Sequence, residues 1–289
     1  MYLPNFEYFT PDSVEEACQL LSKYGSKSKA IAGGTDVLVK IKKEVEVPEV
    51  LVSIGQLSQL KKIEYVPGKG VVIGSGVTHN EVQNSKILNE KYLSVSEAAH
   101  QMANSQVRNL GTIGGNISNA VPSADMPPIL IALDTTVKIV GPKGERTLPL
   151  EDVFMGPNQT VLEHDELITE FVIPDGGFTG STYLKFGLRA SGALAVVGVA
   201  VAVQVAGGIF KDARIVLGAV SPVPVRAKEA ENFLKGKQAS EELFEEAGVI
   251  ASGECRPISD IRASAEYRKD MVRVFTRRAL NKAVNEGHV

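Results

Sequence analysis

Residues 193–208 read ALAVVGVAVAVQVAGG, and few packing arrangements accept such a stretch. Val197, Val199, Val201, Val203 and Val205 fall on one face of an extended chain, with Gly198, Ala200, Ala202 and Gln204 on the other. A period of two is that of a strand, whose side chains point alternately to its two faces. The valine face belongs against a hydrophobic layer, and the small-residue face against something that approaches closely. Gln204 interrupts the run, which is too short to cross a bilayer. A second apolar strand, ARIVLGAV, follows, and then helical sequence rich in Ala, Glu and Lys. Strands followed by helices predict an α+β fold, with helices on one side of an antiparallel sheet.

The earlier sequence reads as further units of the same kind, and 289 residues suit two or three packed together. FEYF is a strand candidate, and TPDSVEEACQLLSKYG a helix capped by Thr10 or Ser13. Ser13-x-x-Glu16 fits a capping box, and Val14, Ala17, Cys18 and Leu21 share one apolar face that ends at Gly25. KAIA and VPEVLVSI are strands. KKIEYVPGKGVVIGSGV predicts a hairpin turning at Pro67–Gly70, and TTVKIVGPKGERTLPL another around Pro142–Gly144. Thr78-x-x-Glu81 is a second capping box opening a helix near 78–85; another helix covers about 92–104, and ELITEFVIP is a strand. DGGFTG, residues 175–180, reads as a linker.

Two glycine-rich segments, AGGTD (32–36) and GTIGGN (111–116), each follow an apolar stretch and read as turns. Glycine admits positive φ and close approach of a ligand, and consecutive free N–H groups form a nest for an anion. Each turn taken alone has an equally serviceable structural role; two in one chain point to a shared ligand bearing a diphosphate. Neither matches a P-loop or an ordinary dinucleotide fingerprint. Asp125, in PSADMPP, has two open roles: cap of a helix begun by Pro127 and Pro128, or acceptor for a ribose or ribityl hydroxyl. Cys18 and Cys255 are far apart, which excludes a chain-borne iron–sulfur cluster or Cys-rich zinc site. His79, His100, His164 and His288 lack metal-ligand spacing, so structural or surface roles are expected of them. A net charge of −3 provides no basic field for nucleic acid. With no secretory pattern at the N-terminus and unpaired thiols, a soluble cytoplasmic chain is expected.

IAGGTDVL (31–38) and QVRNLGTIGGNISNAVPSADMPPILIALD (106–134) together resemble the FAD-binding medium subunit of the molybdenum hydroxylases, the family of xanthine, nicotinate and carbon monoxide dehydrogenases. The likeness extends through DELITEFVIP and YLKFGLRASGALAVVGVAV. It implies an FAD fold of the vanillyl-alcohol oxidase type. Two α+β subdomains, 1–58 and 59–176, would clasp the cofactor, and a C-terminal α+β domain, 177–289, would follow. Ala30, Ile31, Ala32, Gly33, Gly34, Thr35, Asp36 and Val37 would wrap one side of the FAD diphosphate. Gly111, Thr112, Ile113, Gly114, Gly115 and Asn116 would wrap the other through main-chain N–H groups. Asp125 would hold the cofactor, Ile168 touch its adenine side, Met102 lie against the isoalloxazine, and Lys185 neighbour the ring and raise its potential. Tyr183 is a candidate gate. Many relatives have an Asp where this chain has Ala193.

The implied function is electron transfer in a heterotrimeric oxidoreductase. A large molybdopterin-binding partner oxidises substrate, a small 2Fe–2S partner relays electrons to FAD, and NAD+ or another acceptor receives them. The alternatives are a self-contained flavin oxidoreductase and a non-catalytic assembly subunit.

Overall fold

The computed structural model describes residues 3–189 and 191–286; His288 lies outside them. β1 (Glu7–Phe9), α1 (Val14–Tyr24), β2 (Ser28–Ile31), α2 (Val37–Lys42) and β3 (Val50–Ser53) build the first layer, a three-stranded parallel sheet of order β1-β3-β2. Ser13 Oγ accepts from the Glu16 N–H at 3.1 Å, but Glu16 reaches back to the Asp12 N–H rather than to Ser13, one residue outside the expected box. Val14, Ala17, Cys18 and Leu21 are buried as the periodicity requires. Burial, with nearby carboxylates, pushes the Cys18 thiol up to about 11, so it is a core residue rather than a nucleophile.

The second unit comprises β4 (Ile63–Val66), β5 (Gly70–Gly74), α3 (His79–Gln83), α4 (Lys86–Lys91), α5 (Leu93–Gln101), α6 (Ser105–Arg108), α7 (Ile113–Asn119), α8 (Met126–Ala132), β6 (Thr136–Gly141), β7 (Gly144–Pro149), β8 (Phe154–Gly156), β9 (Gln159–Thr160) and β10 (Leu167–Ile173). Its five-stranded antiparallel sheet runs β4-β5-β10-β6-β7, so the expected last strand of the unit is the central one. Both hairpins turn where the sequence places them. Both halves of the Thr78–Glu81 capping box form, whereas α4 has no counterpart among the expected helices. β10 bulges between Ile168 and Glu170, and the skipped Thr169 accepts the Ser75 N–H at 2.9 Å. Such a bulge re-aims neighbouring side chains.

β11 (Gly180–Phe186), β12 (Val197–Ala206), β13 (Ile209–Gly218) and β14 (Val225–Arg226) form a four-stranded antiparallel sheet, followed by α9 (Lys228–Leu234), α10 (Glu241–Glu254) and α11 (Ala265–Asn285). The two faces of β12 divide as its alternation demands. Val197, Val199, Val201 and Val203 share a core with residues of α10 and α11, while Ala200 and Ala202 join the core of the second unit. The close neighbour on the small face is identified at the paired glycines Gly198 and Gly218. A Cβ on Gly218 would come 2.7 Å from Pro128 Cγ of α8, and one on Gly198 2.7 Å from the Tyr183 hydroxyl. Either is tighter than van der Waals contact. No helix among the described residues is long and apolar enough to cross a membrane.

Candidate functional site

The two glycine segments meet. A Cβ on Gly33 would overlap the Leu110 carbonyl, and one on Gly111 would stand 3.5 Å from Thr35 Oγ1. At Gly33 only bare backbone allows this approach, and a cleft of about 630 Å³ opens beside the contact. That volume lies within the range of sites for small molecules and cofactors. Ala30, Ala32, Gly33, Gly34, Thr35, Asp36, Val37, Met102, Gly111, Thr112, Gly114, Gly115, Asn116 and Ile168 all line it.

The two segments contribute differently. Gly34 has φ +72°, a conformation favouring glycine, and the chain there turns sharply into α2. Among the described residues, no acceptor meets the N–H groups of Gly33, Gly34, Thr35, Asp36 and Val37. This is an anion nest of successive unsatisfied donors. In the second segment, the Ile113 N–H donates to the Val77 carbonyl (2.9 Å), Gly114 to Ser75 (2.8 Å), Gly115 to Thr112 Oγ1 (3.0 Å) and Asn116 to the Thr112 carbonyl (3.0 Å). The expected turn is therefore the start of α7, capped by Thr112, and its amides are already engaged. A Cβ on Gly114 would meet Ser75 Cβ at 2.6 Å, so this glycine fits the packing against β5's end. What the segment offers the cleft is side-chain chemistry. Asn116 Nδ2 lies 3.6 Å from Met102 Sδ, and its Oδ1 is buried without a partner.

Four of the residues assigned to the cofactor lie off this cleft's wall. Ile31 packs in a small cluster with Ile41 and Leu51, and Ile113 belongs to the central core. Asp125 stands at the N-terminus of α8 but makes no capping hydrogen bond. Its Oδ1 instead accepts from the Tyr183 hydroxyl and its Oδ2 from Lys185 Nζ, both at 2.8 Å. Burial pushes the Asp125 carboxyl above the ordinary carboxylate range, opposed by Lys185 and Tyr183. Burial and the adjacent Asp125 raise the Tyr183 phenol well above its ordinary value. Tyr183 is 1% exposed, so it is a fixed partner of Asp125 and not a gate. Lys185 also donates to the Gln101 carbonyl at 3.1 Å and lines a neighbouring pocket of about 540 Å³. The segment 101–103 divides the two spaces: Met102 lines the first, and Gln101 and Ala103 the second.

His79, expected to be structural or at the surface, lines the cleft from the first position of α3. It is 1% exposed and its Nδ1 is buried without a partner. Burial, reinforced by the charge of Arg108, holds its imidazole down to about 4. Ser75, Ser118 and Asn119 also line the cleft unannounced. The capping box placed His79 at a helix start, but only the pairing of Thr78 with Thr112 brings that start to the cleft. Around the nest, Lys29 and Lys40 both bind Glu46 at 3.1 Å. Burial works to raise the Glu46 carboxyl, but the two lysines outweigh it and lower it overall.

A cofactor with a diphosphate fits what is present: free donors at the nest, an orphaned Asn116 oxygen, and backbone approach that a Cβ would fill. Residues 4–176 match the FAD binding domain in molybdopterin dehydrogenase, and residues 182–283 the CO dehydrogenase flavoprotein C-terminal domain. The chain is 36% identical over 284 residues to the carbon monoxide dehydrogenase medium chain of Hydrogenophaga pseudoflava, covering 98% of each. It is 28% identical to the xanthine dehydrogenase FAD-binding subunit of Escherichia coli O157:H7, covering 96% of this chain and 95% of that one. A structure of Hydrogenophaga pseudoflava carbon monoxide dehydrogenase, lacking the Mo-pyranopterin moiety of its molybdenum cofactor, superposes with a TM-score of 0.95 at 36% identity, over 99% of this chain and 100% of that chain. The cleft with its donor nest thus sits in a chain that belongs to the FAD-binding medium subunits of the carbon monoxide and xanthine dehydrogenase family.

Proposed function

We propose that the cleft between the two glycine segments holds FAD, and that the chain relays electrons between partner subunits and an external acceptor. The observation that carries this is the run of five unsatisfied N–H groups from Gly33 to Val37. Aligned amides stabilise a diphosphate without the desolvation cost of burying a lysine against it. Thr112, whose hydroxyl accepts the Gly115 N–H, keeps its own proton for a ligand oxygen, and Asn116 faces the same space. Ile168, brought to the wall beside the β10 bulge, would contact the adenine arm, and Met102 would flank the isoalloxazine. Asp125 and Lys185, paired with each other, would brace the 101–103 segment from behind Met102. The units 1–58 and 59–176 would supply the two walls, with 177–289 packed behind α8.

FAD, when bound, supplies reversible two-electron chemistry. The residues of this chain bind it, orient it and set its surrounding charge. A large molybdopterin-binding partner and a small 2Fe–2S partner would deliver electrons, and NAD+ or another acceptor would remove them. The names of the relatives support multi-subunit company of this kind, and two buried unpaired thiols support a cytoplasmic setting. The test is equilibrium binding of FAD and of riboflavin to the flavin-free chain. If the nest holds the diphosphate, FAD binds at least about 100-fold more tightly, several charge-assisted hydrogen bonds being at stake. Equal affinities would refute the placement, and a chain that neither carries nor takes up FAD would refute the cofactor. Recovery of the tagged chain from its host with a molybdenum protein and a 2Fe–2S protein tests the assembly.

A further inference from the structure

Behind Met102, across the 101–103 partition from the cleft, lie two buried cations in different electrical states. Lys185, with a side chain 8% exposed, is closed into a pair with Asp125 at 2.8 Å, whose other oxygen is taken by Tyr183. Seen from a few ångströms away, a paired ammonium and carboxylate present a dipole of nearly zero net charge. Arg108 is 9% exposed and has no such partner. Its Nη1 donates to the Met102 carbonyl at 2.8 Å and its Nη2 contacts Ser105 Oγ at 3.4 Å, while Nε is buried with no acceptor. Among the described residues, no carboxylate lies within 4.0 Å of it. The pocket it lines with His100 and Arg189 contains no acidic side chain. A guanidinium keeps its charge at any pH a protein tolerates, and a buried charge without a counter-ion is unfavourable. Such a charge is expected where a ligand supplies the compensating negative charge.

We propose that Arg108, rather than Lys185, is the uncompensated cation that makes this chain hold reduced flavin more tightly than oxidised flavin. The inference rests on the reading that FAD lies in the cleft with its ring toward Met102. Negative charge grows on that ring upon reduction, and fixed charge aimed at developing charge acts most strongly in a site shielded from water. Arg108 acts from behind the Met102 backbone, so it is a positioning charge and not a reacting group. The Lys185–Asp125 pair then serves to hold the 101–103 partition in place.

The test is the two-electron midpoint potential of the FAD-loaded full chain, measured by dye-equilibrated reductive titration alongside FAD affinity. Arg108→Gln should weaken the preference for reduced over oxidised FAD tenfold or more, a fall of at least about 30 mV. Arg108→Lys, which keeps the charge, should stay within threefold, about 15 mV, of the parent. Removing both partners of the pair in Asp125→Asn/Lys185→Met should also stay within threefold, because no net charge is lost. Asp125→Asn alone should raise the potential by freeing the lysine. An unchanged potential in Arg108→Gln, or a fall in the double variant equal to that of Arg108→Gln, overturns the proposal. If Arg108→Gln does not fold, a fall of about 30 mV or more in the double variant, which would make Lys185 the acting cation, overturns the proposal. A parent chain that fails to bind FAD refutes the underlying reading instead, and this inference with it.

Discussion

Lowering the pH from 7.5 to 5 should destabilise this protein through one residue, His79. Its ring is 1% exposed, has an unpartnered Nδ1, and is held down to about 4 by burial and by Arg108. The unfolded chain takes up a proton on this histidine near pH 6.5, whereas the folded chain refuses it until about 4. Through that window the unfolded state binds more protons, so stability falls as pH falls. At pH 5 the gap is roughly 1.5 pH units, or about 2 kcal/mol; below about pH 4 the loss reaches roughly 3 kcal/mol. Unfolded carboxylates titrate lower, near pH 4, and comparison with His79→Gln separates the imidazole from the raised Asp125 carboxyl. Urea unfolding at pH 7.5 and pH 5 should show that loss in the parent and flatten it in His79→Gln, whose side chain stays uncharged. If His79→Gln loses as much stability over the interval as the parent does, the imidazole is not the group responsible.

Two further outcomes check the packing. Gly33→Ala puts a methyl group into the Leu110 carbonyl and must part the two glycine segments. It should lose FAD retention in a binding assay at a stability cost of only about 1–3 kcal/mol, and normal FAD affinity would contradict the close approach. Arg268, 1% exposed, donates to the carbonyls of Val196 (2.7 Å) and Ala219 (3.1 Å) and to Asp260 (2.8 Å). Arg268→Met should destabilise the C-terminal sheet by about 3–5 kcal/mol in thermal unfolding, and a loss below about 1 kcal/mol would show those carbonyls to be satisfied otherwise.

Much of the local structure was legible because its causes are local. The turn residues at Pro67–Gly70 and Pro142–Gly144 specify hairpins within a few residues of themselves. Thr78 and Glu81 complete a capping box three residues apart, and the valine alternation announced both faces of β12. The glycine segments were identified as a pair, but their division of labour was not. GTIGGN and AGGTD look equally rich in free amides, but in the former the Val77 and Ser75 carbonyls, supplied from beyond β5, and Thr112 itself occupy them. Asp125 looked equally like a cap or a ligand acceptor. The geometry gives it to Tyr183 and Lys185, about 60 residues on, and leaves α8 without its side-chain cap. His79 was missed because a lone histidine has no spacing signal; its burial depends on a bridge between Thr78 and Thr112.

The amino-acid sequence by itself determined the α+β class, most of the elements, the family, and the two segments that border the cleft. Periodicity, caps and turns are short-range interactions, and a long motif carries its family with it. Only the tertiary structure decided which amides stay free, which cation stays unpaired, and which histidine is buried neutral. Each of those depends on whether a partner from a distant segment arrives within hydrogen-bonding distance, and that distance is a property of the packed chain.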